Sequence, residues 1–518
     1  MIKTLDCTLR DGGYNNNWEF RNEDIQVIAH CLSESNVDIV EFGYLSQIKG
    51  KTENSTQFSE INQVSAFIPQ DAHFKSAIMI NYGEYSLEAI PNSKEGNVQG
   101  IRVAFHKKDY KEAIKYAETI QQKGYEVFLQ PMITMSYTDE ELLDMLRQSA
   151  QIVPYAIYIV DSFGIMSRKQ VIELYRKYET YLPDTIAIGF HSHNNLQLSY
   201  ANAQALCDID TTRTIIVDSS IMGMGRGAGN LNTELFLDYL NDNCSSCYHS
   251  TPLLTVVDEI LSPIYSKHTW GYSLPYYLSA IYNIHPNYAT FFDDKGTLKL
   301  ADFDALLRSI PTDRKILFDR AYAEDLYQSF KEKTIKDSTV RETIQRQIAG
   351  KKILIVAPGS SILKNKESIE NTLRDSHVIS FSVNFCYEPF PCDYVFVSNA
   401  RRYEKLHNIH SPLILTSNIE GSSALVVDYA SLLNNNEVVS DNAGLMLITL
   451  LISCGAQQIL LAGFDGYTTD VYDNYYSKDI AFMKSNDAMY AKNEGFKQVI
   501  NEFRKSVTIS FITPSKYD

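Results

Sequence analysis

His191 and His193, in the stretch GFHSHNN, are separated by a single serine. On an extended strand, residues two apart point to the same face, so both imidazoles can address one point. Two imidazoles and a carboxylate make a nitrogen and oxygen donor set that holds a divalent ion and leaves positions open for substrate oxygens. Asp11, in TLRDGG, is the carboxylate expected to complete the set, and Arg10 beside it supplies a fixed positive charge. Each feature also has a plainer reading. An H-x-H pair can be a hydrogen-bonded structural element, Arg10 and Asp11 a turn salt bridge, and GMGRGAGN (223–230) a loop whose glycines meet positive φ requirements.

What raises the chemical reading is where these residues fall. Eight short apolar runs alternate with segments of helical periodicity: KTLDCTL, DIVEFGYL, FKSAIMIN, GIRVAFH, YEVFLQPM, AIYIVDSFG, IAIGFHSH and TIIVDSSIMG. That count and alternation predict a closed (β/α)8 TIM barrel, whose catalytic groups collect at the C-terminal ends of strands. Those ends carry Arg10 and Asp11 on the first strand, Glu41 on the second, Gln130 on the fifth, Asp161 on the sixth, the histidines on the seventh, and GMGRGAGN after the eighth. Glu41, Gln130 and Asp161 are candidates to line a substrate pocket, although such a carboxylate can equally hold an arginine such as Arg102.

Three domains are expected. Residues 1–240 form the barrel, and 241–348, rich in tyrosine and helical in pattern, form an α-helical extension or lid. At KKILIVAPGSS a new α/β unit opens and fills 349–518. A net charge of −16 disfavours partnership with nucleic acid or an anionic membrane, because both would repel the whole-protein field. No apolar run reaches membrane-spanning length and the N-terminus lacks a signal-peptide pattern, so a cytoplasmic location is expected. The scattered cysteines read as reduced thiols, with Cys244 and Cys247 structural or incidental.

TLRDGG (8–13 with its leading Thr), GFHSHNNLQLSYANA (189–203) and GMGRGAGNLNTE (223–234) together resemble the metal-dependent aldolase, lyase and Claisen-synthase superfamily. That superfamily includes hydroxymethylglutaryl-CoA lyase, isopropylmalate synthase and 4-hydroxy-2-oxovalerate aldolase. The resemblance covers roughly residues 1–240. It implies Asp11, His191 and His193 as metal ligands, with Asn230 completing or supporting the set. It implies Arg10 as the group that stabilises an enolate, and manganese ahead of magnesium, zinc or cobalt. In the aldolase branch a histidine base stands three residues after the metal aspartate; here that position is Tyr14. Candidates for the acid/base role are therefore Tyr14, His285, Tyr288 and a metal-bound hydroxide.

In the last unit, IVAPGSS (355–361) has a strand, a small-residue turn and a helix start, which can receive a phosphate or be a plain connection. The unit weakly resembles the Rossmann-like domains of bacterial sialyltransferases and motility accessory factors. That resemblance implies Gly359, Ser360, Asn384, Asn442 and Asp465 as nucleotide or sugar contacts. The expected function is a divalent-metal-dependent carbon–carbon lyase or aldolase acting through a pyruvate-type enolate on a 4-hydroxy-2-keto acid or a related sugar-like substrate. Its partners would be a small keto acid, an aldehyde or sugar-like compound, and further copies of itself in a homo-oligomer. The alternatives are a Claisen-type synthase using acetyl-CoA, and a glycosyltransferase or nucleotide-sugar-binding protein whose activity lies in the C-terminal domain.

Overall fold

A computed structural model describes the chain apart from residues 48–52, 94–96, 297, 332–334, 388, 407–408, 424, 437, 469–473 and 478–485. Contacts divide it into two compact units, Met1–Ala289 and Thr290–Asp518.

The first unit is the expected barrel. Its strands are β1 (Ile2–Asp6), β2 (Ile39–Leu45), β3 (Lys75–Asn81), β4 (Gly100–Phe105), β5 (Glu126–Pro131), β6 (Ala156–Asp161), β7 (Ala187–Ser192) and β8 (Ile215–Ser219). All are parallel and pair in chain order, and β1 pairs with both β2 and β8, which closes the cylinder. A two-residue strand, Gln57–Phe58, adds beside β2. Every residue of β2, β4, β6, β7 and β8 is buried, as expected where both faces of a parallel sheet are covered. Leu5, Ile39, Ala77, Phe128, Tyr158 and Ile216 form a cluster of their own that fills the barrel interior.

Among the described residues, the helices that follow barrel strands and pack outside include α1 (Asn22–Glu34), α2 (Tyr110–Gln122), α3 (Asp139–Ile152), α4 (Arg168–Tyr181), α5 (Ser199–Cys207) and α6 (Thr233–Cys244). Their starts are written in the sequence. Thr138 with Glu141 and Ser167 with Gln170 make reciprocal capping boxes at α3 and α4. In the connections from β2 to β3 and from β3 to β4 the described helical segments are the 3₁₀ turns Ile61–Phe67 and Leu87–Ala89. Both segments are short and end just before a proline, Pro69 and Pro91, which denies them the length a helix needs.

The segment 241–348, expected as one helical extension over the barrel, is instead shared between the units. Helices up to Leu274–Ile281 fall within the first, and those from Leu300–Arg308 onward fall within the second. Among the latter, α7 (Arg320–Lys331) pairs through Lys331 with Asp441 at 3.1 Å, and α8 (Ser338–Ile348) sends Ile344 and Ile348 into the second core. The polar sequence of α8 reads as exposed because only those two isoleucines mark its buried face.

The second unit holds β9 (Lys352–Val356), β10 (Val378–Val383), β11 (Tyr394–Val397), β12 (Leu413–Thr416), β13 (Leu425–Val427), β14 (Gln458–Ala462) and β15 (Thr508–Phe511). The sheet is parallel throughout, in the order β13-β12-β11-β10-β9-β14-β15. The winding direction reverses between β9 and β14, so their carboxyl ends form a switch-point crevice. Helix α9 (Ala443–Ser453) is apolar on nearly all sides and accordingly buried. Among the described residues no helix is long and apolar enough to cross a membrane.

Candidate active site at the carboxyl end of the barrel

Asp11 and Arg10 stand on a single helical turn, Thr8–Asp11, that begins directly after β1. Asp6, the last residue of β1, holds that turn by accepting from the Thr8 amide at 2.9 Å and from the Thr233 hydroxyl at 2.6 Å. Burial raises the Asp6 carboxyl to about 6, against the opposing pull of those two threonines. His191 lies on β7, and His193 lies one residue past its end. Their ring centroids are 5.2 Å apart, and one donor atom each from Asp11, His191 and His193 lie within 4.8 Å of one another. All three side chains are buried.

The loop after β8 folds back over them. Asn230 forms an isolated antiparallel bridge with His193, and its side-chain amide donates to Asp11 Oδ2 at 2.6 Å and to the Met224 carbonyl at 3.2 Å. Gly225 makes this approach possible: a Cβ there would stand 2.2 Å from Asn230 Nδ2 and 2.8 Å from Asp11 Oδ2. The buried Asn230 Oδ1 and His193 Nδ1 have no hydrogen-bond partner. Two orphaned acceptors beside a carboxylate and a second imidazole are the donor chemistry of a divalent-cation site, so the residues fit the implied metal.

Charge around the cluster is arranged across the barrel interior. Arg10 donates from Nε to Glu41 Oε2 at 2.8 Å and pairs through Nη1 with Asp11. Arg102, wholly buried on β4, donates to the same Glu41 oxygen at 2.7 Å and pairs through Nη2 with Asp218 on β8. Asp218 Oδ2 in turn lies 3.0 Å from His191 Nδ1. A carboxylate there keeps the proton on Nδ1 and leaves Nε2 to bind a cation. Burial pushes the Asp11 carboxyl up, but Arg10, both histidines and the Asn230 amide together outweigh it and hold it well below the usual carboxylate range. Burial, reinforced by Arg226, lowers His193 to about 3, so its imidazole is neutral and able to ligate.

The remaining expected residues divide. Glu41 sits in the cluster, placed by a β-bulge that shifts the β2 register between Glu41 and Tyr44, and it does hold Arg102. Gln130, with its amide turned to satisfy both atoms, accepts from Arg102 Nε at 3.2 Å and Nη2 at 2.8 Å. Asp161 does not extend this network. Its two oxygens accept from the Ile165 and Met166 amides at 3.0 and 2.9 Å, and burial raises its carboxyl to about 6. Tyr14 is 40% exposed, with its hydroxyl 3.2 Å from that of Tyr44. His285 packs its ring 5.8 Å from that of Phe163 and is lowered to about 3 by burial, with Arg226 next in effect. Its Nδ1 accepts from the Asn287 amide at 3.2 Å, so the ring proton resides on Nε2 and the neutral imidazole is a donor. Tyr288 is wholly buried.

Three residues were not singled out from the sequence. Asp218 orients His191, yet reads as one polar residue in an apolar strand. Tyr44 backs Tyr14 and lies with its ring centroid 6.0 Å from the Arg10 guanidinium. Arg226 sits within GMGRGAGN, where the glycines are the stronger local signal. Its guanidinium lies 5.6 Å from the Tyr14 ring centroid, its Nη2 donates to the Ser162 carbonyl at 3.2 Å, and its buried Nε has no partner.

The expected contacts in the second unit have partners within the unit, and Gly359, Asn384, Asn442 and Asp465 also line a cavity at the strand ends. Asp465 accepts from the Ser361 amide at 2.7 Å and so occupies the helix start that the sequence leaves open to either a phosphate or a plain connection. Gly359 packs against Gly463, whose carbonyl a Cβ would meet at 2.3 Å. Ser360 directs its hydroxyl to Asp465 at 3.4 Å. Asn442 caps α9 by accepting from the Gly444 and Leu445 amides at 3.0 and 3.3 Å. Asn384 Oδ1 accepts from the Ser398 amide at 3.1 Å.

The barrel has solved and curated relatives. A model of the HMGL-like family matches residues 1–244. The crystal structure of the N-terminal domain of a candidate aldolase from Bacteroides vulgatus is 30% identical, with a TM-score of 0.51, and the match covers 60% of this chain and all of that one. The chain belongs to the HMGL-like family. Among curated relatives, the 4-hydroxy-2-oxovalerate aldolase of Geobacillus thermodenitrificans is 25% identical over 266 residues, 51% of this chain and 76% of its own. That of Pelotomaculum thermopropionicum is 27% identical over 241 residues, 46% of this chain and 69% of its own. The HMGL-like match ends near the end of α6, and all three motifs that carry the cluster lie inside it.

Proposed function

We propose that the barrel is a divalent-metal-dependent carbon–carbon lyase or aldolase that acts through a pyruvate-type enolate on a 4-hydroxy-2-keto acid or a related sugar-like substrate. The observation that carries this reading is the convergence of Asp11, His191 and His193, with an orphaned Asn230 oxygen, directly beside Arg10. Those four residues would hold the ion, with manganese the first candidate. When bound, such an ion polarises a carbonyl oxygen as a Lewis acid.

The chain's own groups account for the rest. Glu41 and Asp11 fix the Arg10 guanidinium, so its charge is in place before an enolate oxygen develops and costs no reorganisation when it does. Tyr14 stands at the acid/base position, with Tyr44 hydrogen-bonded behind it to share the proton. His285, neutral and protonated on Nε2, donates without exchanging charge. Arg226 has no carboxylate partner among the described residues, so its cationic face receives a polar or anionic end of the substrate.

Proton exchange tests the reading. In deuterated water with manganese, the protein should exchange the methyl protons of pyruvate without any thioester, and EDTA should abolish the exchange. Tyr14→Phe should slow it by about 10²–10⁴-fold, the usual scale of a lost acid/base group. Exchange that is indifferent to chelation would end the proposal, and exchange that appears only with acetyl-CoA would identify a Claisen synthase instead.

A further inference from the structure

The second unit contains a cavity of about 470 Å³ at the switch point between β9 and β14, within the size range of small-molecule sites. Its walls come from the ends of β9, β10, β11 and β14 and from residues 438–444 ahead of α9 and within its first turn. Five cationic side chains line it, Lys295, Arg401, Arg402, Lys405 and Lys492, against three carboxylates, Glu404, Asp441 and Asp465. In a chain of net charge −16 this is a local reversal of sign.

Among the described residues the three carboxylates do not pair with Arg401 or Lys492. Glu404 pairs with Lys299 at 2.8 Å, and Asp441 with Lys331 at 3.1 Å. Asp465 is held by the amide and hydroxyl of Ser361. Lys295 is matched by Glu324 at 2.6 Å, but neither Arg401 nor Lys492 forms an ion pair among the described residues. Both are half-buried, where an unmatched charge costs more than at an open surface. The Arg402 guanidinium lies 5.6 Å from the Tyr475 ring centroid, and both Tyr475 and Tyr467 line the cavity.

We propose that this cavity binds a phosphate-bearing organic molecule, with its phosphate on the Arg401 and Lys492 side and its organic part against Tyr467 and Tyr475. The phosphate does not sit on the Pro358–Ser361 turn, because the Asp465 carboxylate already accepts from that turn and would repel a second anion. Guanidinium and ammonium groups without carboxylate partners recognise phosphate oxygens by charge-assisted hydrogen bonds, and the tyrosines offer flat faces for a ring. Nucleotides and sugar phosphates share this chemistry. The site is independent of the barrel reaction.

Calorimetry on the full chain, with UDP, ADP, glucose 1-phosphate and inorganic pyrophosphate as probes, tests the site. At least one organic phosphate should bind saturably and at least tenfold more tightly than pyrophosphate; a nucleotide and glucose 1-phosphate identify which source fits. Arg401→Glu and Lys492→Glu should each weaken that binding tenfold or more at unchanged melting temperature. Lys169→Glu, an exposed reversal on the barrel helix α4, should leave it unchanged. Pyruvate exchange by the barrel should persist in all three variants. No binding of any organic probe, pyrophosphate binding as tightly as they do, or unaltered affinity in both cavity variants would overturn the proposal.

Discussion

Both units gather polar residues at the carboxyl ends of parallel strands, but they treat charge in opposite ways. In the barrel, Arg10 and Arg102 share Glu41, and each also holds a second carboxylate, Asp11 or Asp218. Each of these carboxylates and arginines has a buried partner of opposite charge, and the network reaches from the turn after β1 through β2 and β4 to β8. In the second unit the carboxylates are engaged elsewhere, while Arg401 and Lys492 face a cavity without a carboxylate of their own. The first arrangement suits a site that must position charge for bond making and breaking. The second suits a site that acquires its counter-charge from what it binds.

The contrast can be broken at several points. The largest effect is expected at the residues proposed to hold the ion: His191→Ala should abolish manganese-dependent stabilisation in a thermal shift assay and lower the proposed lyase activity by at least about 10³-fold. Phosphate binding in the second unit should be unaffected, and a joint loss of both would argue against two separate sites. Next, Arg102→Met removes one cation from a buried network, leaving Glu41 with Arg10 alone and Asp218 with His191 alone, so that carboxylates outnumber their cations there. Urea unfolding should register a loss of about 3–5 kcal/mol, the scale for an uncompensated buried charge. A stable Arg102→Met variant would show that the interior charges are not coupled.

A smaller effect sharpens the account of His285. Its folded value of about 3 lies below the ordinary imidazole value, so the unfolded chain binds the extra proton first. Its contribution to stability is present above about pH 6.5 and is lost as pH falls toward about 3, at up to about 1.4 kcal/mol per pH unit. In His285→Gln the decline in stability between pH 6.5 and 5 should be shallower by about 1 kcal/mol per unit. An unchanged slope would mean that His285 is not held neutral by its surroundings.

Much of the barrel and its donor set is legible in the sequence, because both depend on local pattern. Continuous apolar runs mark strands covered on both faces, and the strand-end rule then selects Arg10, Asp11, His191 and His193 with no knowledge of contacts. What escapes is what depends on register between distant strands. Arg102 and Asp218 are 116 residues apart, and nothing local says that one holds the other or that Asp218 turns His191. Asp161 shows the same limit: its place at a strand end is legible, but not that its two oxygens cap its own loop. In the second unit β15 escapes notice as a four-residue edge strand after a long helix. The Pro-Gly-Ser-Ser turn resembles an anion cradle until Asp465, more than a hundred residues on, is seen to occupy it.

Residue 225 and residue 226 are neighbours with different futures under mutation. Any side chain at 225 would pry Asn230 from Asp11, so that position is closed to variation while the donor set is in use. Position 226 is half-buried, with its guanidinium beside the Tyr14 ring and away from the Asp11–Asn230 hydrogen bond, so it can change without breaking that bond. Shifts in the compounds this barrel accepts should therefore arise at 226, and selection experiments on this loop should recover variants there while leaving its glycine neighbour intact.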